Sequence, residues 1–264
     1  MLSDRLKISK GGAGPDVMLS RQTLLNCAAL KGYGGGCDGG DPIDVFHYMS
    51  KYGLPGEGCL TYTATDHSKY EAAGLKACPA GGYCVNCMPV KEEDVCWPVK
   101  TPILYTVTAY GRVGQPGAAP AANVAAMQAE ILARGPIVCS IATPDAFVYG
   151  YRGGVYDDRN ASTRDDVDHD VEVVGWSSGE GDAPGPDGLP RPYWRVRNSW
   201  GDYWGELGFF RVPLGVNALF IEDGDCWYGT VGHGMEDDVR AGKMVGTMYG
   251  VVKKRGESKG RAVV

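Results

Sequence analysis

One histidine of the chain, His169, has the type and setting of a general acid or base. The chain contains 4 histidines, and an imidazole exchanges protons near neutral pH. His169 begins the strand-like segment DHDVEVVGW, which one long connection separates from YWRVRNSWGDYWGELGFF. The pair of segments indicates a functional site. His47, in an amphipathic helix, and His67 and His233, in loops, are interpreted as surface or packing residues.

The cysteines could supply a nucleophile, metal ligands or disulfides. There are 9 of them, so at least one is unpaired if the others form disulfides. Cys37 stands in the glycine-rich run GYGGGCDGG. Two of four clustered cysteines have CxxC spacing, so a zinc site is an alternative to disulfides there. The four are Cys78, Cys84, Cys87 and Cys96.

Composition limits the partners. A net charge of -6 and a pI near 5.3 give no reason to expect nucleic acid. No apolar run reaches the roughly 20 residues of a membrane span, and nothing indicates a cofactor. A basic cluster near the C-terminus is interpreted as a solvated tail, with an anionic contact as the alternative. Its members are Arg240, Lys243, Lys253, Lys254, Arg255, Lys259 and Arg261.

The cellular compartment is indicated by the same cysteines. Those between Cys27 and Cys96 lie mostly in polar, Gly-rich and Pro-rich loops, which favours an oxidising compartment. The sequon Asn160-Ala161-Ser162 adds little. The charged start MLSDRLKISKGG does not resemble a secretory signal. These observations agree if the chain begins at an internal methionine, which is our expectation.

Local signals predict helices mainly in the first half and strands in the second, which makes an α+β protein. Ser20 is predicted to cap a helix through RQTLLN, and Asp41 with Pro42 to start one through PIDVFHYMSKY. Asn123 is predicted to cap VAAMQAEILAR, which ends at Gly135. The apolar face of that helix should be Val124, Met127, Ile131 and Leu132. Strands are predicted at 137–142, 169–176, 193–198 and 208–212.

Four segments resemble the papain family of cysteine peptidases. They are DHDV at 168–171, YWRVRNSWGDYWGELG at 193–208, LSRQTLLNC at 19–27 and GCDGGDP at 36–42. The resemblance implies a two-lobed papain-like fold over residues 1–229. A helical, disulfide-bound lobe would occupy about 1–110, and a mainly β, antiparallel barrel-like lobe about 111–229. Residues 230–264 are expected to form a poorly ordered tail.

The resemblance also implies a peptidase mechanism. A cysteine thiolate attacks the peptide carbonyl, and a paired imidazolium and a helix N-terminus lower its pKa. His169 would be that imidazolium and the acid for the leaving amine. Asn198 would orient the ring, and Trp200 would cover their hydrogen bond. Gly39 and Gly40 would line the substrate-binding site. The implied substrate is a peptide or protein, and a monomer is expected.

Within the family, AEILARGPIVCSIAT, YRGGVYDD and CPAGGYCVNC resemble the cathepsin X (cathepsin Z) group. That group implies lysosomal, vacuolar or extracellular localisation and a carboxypeptidase or an endopeptidase, which the sequence does not separate. It disfavours the zinc alternative and leaves Cys37 unpaired. The implied disulfides are Cys27 with Cys78, Cys59 with Cys84, Cys87 with Cys96, and Cys139 with Cys226.

The family's nucleophile segment, of the type CGSCW, does not occur in this sequence. We expect the nucleophile to lie upstream of Met1, the central helix to be incomplete and this chain alone to be inactive. The alternative is a non-catalytic relative that binds peptides or a partner protein.

Asp170 follows the histidine, where the family usually has a small or apolar residue. One interpretation is that strand alternation turns Asp170 and Glu172 to solvent or to a nearby lysine or arginine. The other is that Asp170 favours a basic substrate side chain and raises the pKa of His169.

Overall fold

The structure is a computed structural model that describes residues 1–68, 72, 78, 84–90, 93–157, 163–180, 191–232, 234–247 and 250–253. His233 and the sequon at 160–162 lie outside the described residues. The chain forms two compact units. The first unit combines Met1–Gly14 with Ala109–Thr230, and the second combines Pro15–Thr108 with Val231–Val264.

The first described elements are helices, and strands occur from Val85 onward with further helices among them. The helices are α1 (Leu2–Ser9), α2 (Arg21–Thr23), α3 (Pro42–Tyr52), α4 (Pro120–Arg134), α5 (Asp145–Gly150) and α6 (Gly234–Arg240). The strands are β1 (Val85–Val90), β2 (Glu93–Pro98), β3 (Thr106–Val113), β4 (Ile137–Ala142), β5 (Val167–Ser177), β6 (Tyr193–Arg197), β7 (Phe209–Pro213), β8 (Cys226–Gly232), β9 (Met244–Thr247) and β10 (Gly250–Lys253). No described helix is long and apolar enough to cross a bilayer.

The first unit is built on a six-stranded sheet in the order β3-β8-β4-β5-β6-β7. The registered pairs from β8 through β7 are antiparallel, as the predicted α+β fold requires. Among the described strands no pairing joins β3 to β7, so the sheet is open and not closed into a barrel. The predicted connection between β5 and β6 joins antiparallel neighbours, although 181–190 lie outside the described residues.

Aromatic and branched side chains from the sheet form the core of this unit. Trp194, Phe210 and Ile137 have no exposed surface, and Met127 of α4 and Phe147 of α5 pack in the same core. Each such side chain contributes roughly 1.5–3 kcal/mol by leaving water. The core therefore fixes the strands that carry the segments singled out in the sequence.

Helix α4 begins earlier than predicted, and Asn123 does not cap it. Pro120 occupies the first turn, where its fixed φ and missing N–H are tolerated. Asn123 is buried inside the helix; its Oδ1 accepts from the Gln115 N–H at 2.9 Å, and its Nδ2 donates to the Glu222 carbonyl at 2.9 Å. The prediction was wrong because the partners of Asn123 lie outside the helix.

The predicted apolar face of α4 was also wrong at its last member. Leu132 is 77% exposed, whereas Met127 is completely buried. At 100° per residue the two side chains lie about 140° apart around the helix, so they cannot face the same core. Val124 and Ile131 are buried or partly buried against the core, as predicted.

Two local predictions in the second unit are confirmed. The Ser20 hydroxyl accepts a hydrogen bond from the Thr23 N–H at 3.2 Å and so caps α2. Helix α3 has the predicted bounds, and Gly53 follows it with a φ of 72°. The positive φ explains why glycine ends this helix.

The described part of the chain after residue 232 contains a helix and a hairpin, where the sequence analysis expects a poorly ordered tail. Strands β9 and β10 pair antiparallel. Glu236 of α6 accepts a hydrogen bond from the Tyr105 hydroxyl at 3.2 Å and pairs with Arg240. Gly250 forms a bridge with Thr101. These contacts lie within the second unit.

A buried carboxylate, that of Glu222, stabilises the first unit. Its side chain belongs to a residue only 1% exposed. It accepts hydrogen bonds from Trp194 Nε1 at 2.7 Å, the Gly215 N–H at 2.6 Å and the Asn217 N–H at 2.7 Å. One carboxylate thus satisfies three donors, one of which belongs to the largest side chain of the core.

We expect Glu222→Ala to lower the free energy of unfolding by about 3 kcal/mol or more, because buried donors without acceptors cost roughly 1–3 kcal/mol each. Urea denaturation followed by fluorescence measures the change. The exposed Asp165→Ala is the matched control and should stay within about 0.5 kcal/mol of the unsubstituted chain. Equal stability of the two variants would contradict this role.

Candidate active site

His169 and Asn198 lie on neighbouring strands of the first unit. His169 is in β5, opposite Ile141 of β4, and Asn198 directly follows β6. The Asn198 N–H donates to the Gly208 carbonyl at 2.9 Å, which fixes the turn after the strand. His169 Nε2 lies 2.8 Å from Asn198 Oδ1. The structure therefore joins the predicted proton-transfer residue, His169, to the residue predicted to orient its ring, Asn198.

The orientation of the Asn198 amide follows from a second donor. The Ser199 N–H donates to Asn198 Oδ1 at 2.8 Å, and an N–H group requires an oxygen there, not an NH₂. Because that oxygen only accepts, His169 Nε2 must carry the proton in their contact. In the neutral ring Nδ1 is then unprotonated. The carboxamide thus sets the tautomer and leaves Nδ1 as the ring nitrogen that can accept a proton.

Trp200 covers this pair. Its ring stacks on that of His169, with centroids 5.0 Å apart and planes 26° from parallel. Trp204 meets Trp200 edge-on at 4.8 Å, and its Nε1 donates to the Val148 carbonyl at 2.9 Å. Phe147 packs against both indoles. This aromatic cluster restricts water around a residue, Asn198, that is only 8% exposed.

A family model described as "Papain family cysteine protease" matches residues 1–228. The chain belongs to the papain family of cysteine proteases. The match includes His169, Asn198 and Trp200, and it agrees with the hydrogen bond and ring stacking between them.

Curated relatives of this papain-family chain include cathepsins. The chain is 36% identical over 211 residues to "Cathepsin Z" of Onchocerca volvulus, an alignment that covers 80% of the chain and 57% of the relative. It is 32% identical over 234 residues to "Cathepsin B-like cysteine proteinase 4" of Caenorhabditis elegans, covering 83% and 62%. The chain thus spans less than two thirds of the length of these relatives.

Solved structures show the same papain-like fold. Procathepsin L 3 from the larval midgut of Tenebrio molitor has a TM-score of 0.60 at 24% identity and covers 86% of this chain and 59% of that one. Bromelain from Ananas comosus, in complex with the E64 inhibitor, has a TM-score of 0.58 at 24% identity, covering 87% and 84%. At these identities the likeness concerns the fold alone.

The cysteines of this papain-family chain are all accounted for. The structure has the four disulfides Cys27–Cys78, Cys59–Cys84, Cys87–Cys96 and Cys139–Cys226. These pairs remove the four clustered sulfurs from the zinc alternative. Cys37 is the free cysteine, and it is exposed.

The surroundings of Cys37 do not favour a thiolate. Its N–H donates to Asp66 Oδ2 at 2.9 Å. Desolvation, together with the carboxylates of Asp66 and Asp38, raises the pKa of the Cys37 thiol. Hydrogen bonds from the N–H groups of Ser68 and Cys37 lower the pKa of Asp66 to about 2, so its negative charge persists at nearly all pH values. Activation of a cysteine requires the opposite electrostatics.

The predicted substrate-binding glycines lie in the second unit, in the loop that contains Cys37. The Gly39 carbonyl accepts from the Gly35 N–H at 2.7 Å, and Gly39 has a φ of 100°. A Cβ on Gly40 would lie 2.9 Å from Gly34 Cα, so that position has no room for a side chain. Their role toward a substrate stays a prediction.

Asp170 lies on the face of β5 opposite that of His169, because neighbouring residues of a strand alternate. Asp170 accepts a hydrogen bond from the Ser140 hydroxyl at 2.8 Å. This placement favours a local role for Asp170 over contact with the imidazole, with the Ser140 hydroxyl as one of its partners. Glu172 is 9% exposed, not solvated, and lies 3.5 Å from Arg197 and 3.0 Å from the Met1 amino group.

Several residues that support this site were not identified from the sequence alone. Phe147 and Val148 of α5 hold the indoles, and Thr143 donates to the Asp168 carboxylate at 2.7 Å beside the histidine. The aromatic spacing WGxxWG gave a signal for Trp204. No local pattern links the other three residues to His169.

We expect Asn198→Ala to remove the tautomer preference of His169. In the unsubstituted chain, ¹⁵N NMR at a pH where the ring is neutral should show a protonated Nε2 and a bare Nδ1. Without the carboxamide oxygen the two tautomers should mix. Ser199→Ala keeps the backbone N–H and serves as the control. A protonated Nδ1 in the unsubstituted chain would contradict the assignment.

Alkylation of Cys37 by iodoacetamide should accelerate only at a pH above the usual range of a cysteine thiol. Asp66→Asn should shift the inflection of the rate toward lower pH, because it removes a negative charge beside the sulfur. Asp41→Asn, a nearby exposed loop residue, is the control. An inflection below neutral pH in the unsubstituted chain would mean that Cys37 is an activated thiol.

Proposed function

We propose that this chain supplies the histidine and asparagine of a cathepsin Z-like cysteine peptidase. The observation that carries the proposal is the hydrogen bond from His169 Nε2 to Asn198 Oδ1 beneath Trp200. It leaves Nδ1 free to take the proton of a cysteine thiol, which forms a pair of imidazolium and thiolate. The nucleophilic cysteine would lie in the part of the relatives' length that this chain does not span.

The proposed steps follow from that geometry. The protonated ring stabilises a thiolate, which attacks the carbonyl carbon of the scissile peptide bond. His169 then donates the Nδ1 proton to the leaving amine, and the bond between carbon and nitrogen breaks. The bare Nδ1 next takes a proton from water, whose oxygen attacks the thioester and releases the acid. Asn198 acts throughout as a positioning residue.

The resemblance to the cathepsin X group supports a carboxypeptidase as the finer proposal, in a lysosome, vacuole or extracellular space. The disulfides of the structure favour such an oxidising location. Peptides that differ only in a free or an amidated C-terminus separate the two activities. A carboxypeptidase should cleave the free acid at least tenfold faster, whereas an endopeptidase should cleave both at similar rates.

A non-catalytic, peptide-binding relative is the second candidate. It is favoured by the state of this chain's own cysteines, which are in disulfides or, for Cys37, have a raised thiol pKa. Such a protein should bind peptides without turnover and should resist thiol-directed epoxides.

An epoxide inhibitor of the E64 type distinguishes the two candidates. We expect residues 1–264 alone to remain unlabelled and the protein expressed from its complete coding sequence to be labelled. Mass spectrometry should place the label on a cysteine other than the 9 of this chain. Label on Cys37, or none on the complete protein, would contradict the peptidase proposal.

In the complete protein, His169→Ala should lower kcat/KM on a peptide by roughly 10²–10⁴-fold, because general acid–base catalysis contributes about that much. Asn198→Ala should cause a smaller loss and should change the pH profile, since it acts through the ring. His47→Ala, an exposed histidine of α3, is the matched control. A His169→Ala enzyme with unchanged activity would overturn the assignment.

A further inference from the structure

A cavity of the first unit is lined by residues in or next to β3, α4 and β8, and none of them belongs to β5 or β6. It has a volume of about 370 Å³, within the roughly 300–1,000 Å³ that small-molecule sites occupy. One wall is an alanine face of α4, and the polar lining groups are two arginines, a tyrosine and Glu130, whose carboxylate is already paired with arginine. The residues that matter here are Ala126, Ala129, Ala133, Arg112, Arg134 and Tyr228.

The polar groups of this cavity keep hydrogen-bond donors available. Arg112 uses Nη1 for the Asp225 carboxylate at 2.6 Å and the Gly224 carbonyl at 3.3 Å. Arg134 uses Nε and Nη2 for Glu130. A guanidinium has five N–H donors, so Nε and Nη2 of Arg112 and Nη1 of Arg134 are left for a ligand.

Tyr228 organises the same cavity. The Arg134 guanidinium lies over its ring, 4.6 Å from the centroid, and that of Arg5 lies 5.9 Å away. Its hydroxyl makes no hydrogen bond with the described residues. A Cβ on Gly111 would lie 2.9 Å from the Tyr228 ring, so the backbone of β3 lies directly against it. The ring and its hydroxyl are therefore held in place before any ligand binds.

The charges around the cavity do not cancel. Arg5 and Arg134 share the buried carboxylate of Glu130, and Arg112 pairs with Asp225. Three guanidinium groups thus share two carboxylates. Because Arg5 and Glu130 are 3% and 8% exposed, this arrangement is fixed inside the unit. The excess positive charge attracts an anion.

We propose that this cavity binds a small organic carboxylate with an apolar body. The carboxylate accepts from Arg112, Arg134 and the Tyr228 hydroxyl, while the apolar body covers the alanine face of α4. Alanines at 126, 129 and 133 line one side of a helix by their spacing of three and four residues. The proposal does not depend on the peptidase activity.

Benzoate is the probe, with benzamide as the neutral analogue of the same shape. Binding to the full chain is measured by ligand-observed NMR and isothermal titration at low and high salt. Benzoate should bind, more weakly at high salt, and benzamide should not. Arg112→Gln should weaken benzoate binding roughly tenfold and Tyr228→Phe about fivefold, because charge-assisted and neutral hydrogen bonds contribute those amounts. Arg134 is left unchanged because it also stabilises Glu130.

Arg152→Gln, an exposed arginine outside the cavity, is the matched control and should bind benzoate unchanged. Thermal unfolding of each variant shows whether it is folded. The proposal is overturned if folded Arg112→Gln and Tyr228→Phe bind as the control does, if benzamide binds as well as benzoate, or if benzoate does not bind. If inorganic phosphate binds more tightly than benzoate, the proposed contact between an apolar ligand body and the alanine face of α4 is overturned.

Discussion

The site depends on one carboxamide oxygen that accepts two hydrogen bonds. Asn198 Oδ1 receives the Ser199 N–H and His169 Nε2, each at 2.8 Å. The backbone donor fixes which end of the amide faces the ring, and the amide then fixes which nitrogen of the ring holds a proton. The backbone N–H of Ser199 thus sets, through the amide, which ring nitrogen of His169 is protonated.

That contact in turn depends on the register of the sheet. Glu172 of β5 pairs with Arg197 of β6, so the residue after Arg197 is carried toward the start of β5, where His169 lies. A shift of one residue would turn either side chain to the opposite face. Buried side chains anchor β6 in the core, and the indole of one of them, Trp194, donates a hydrogen bond to the buried carboxylate of Glu222. Strand β6 therefore connects the buried core at Trp194 to the turn that carries Asn198.

The parts of the fold that could be predicted are those set by neighbouring residues. Helix α3 and strand β4 have their predicted bounds because Pro42, Gly53 and a run of β-branched residues act locally. Asn123 was misassigned because its partner, Glu222, is distant along the chain. His169 and Asn198 were found through sequence resemblance to a family, and their contact is a property of the folded sheet.

Proton transfer and thiolate stabilisation make separate physical demands on a papain-family chain. The first needs an oriented ring, which a sheet, an amide and a stacked indole supply locally. The second needs positive potential at a sulfur atom. Cys37 has the reverse, because desolvation and the negative charges of Asp66 and Asp38 raise the pKa of its thiol. A fold can therefore keep the first arrangement whether or not its own residues provide the second.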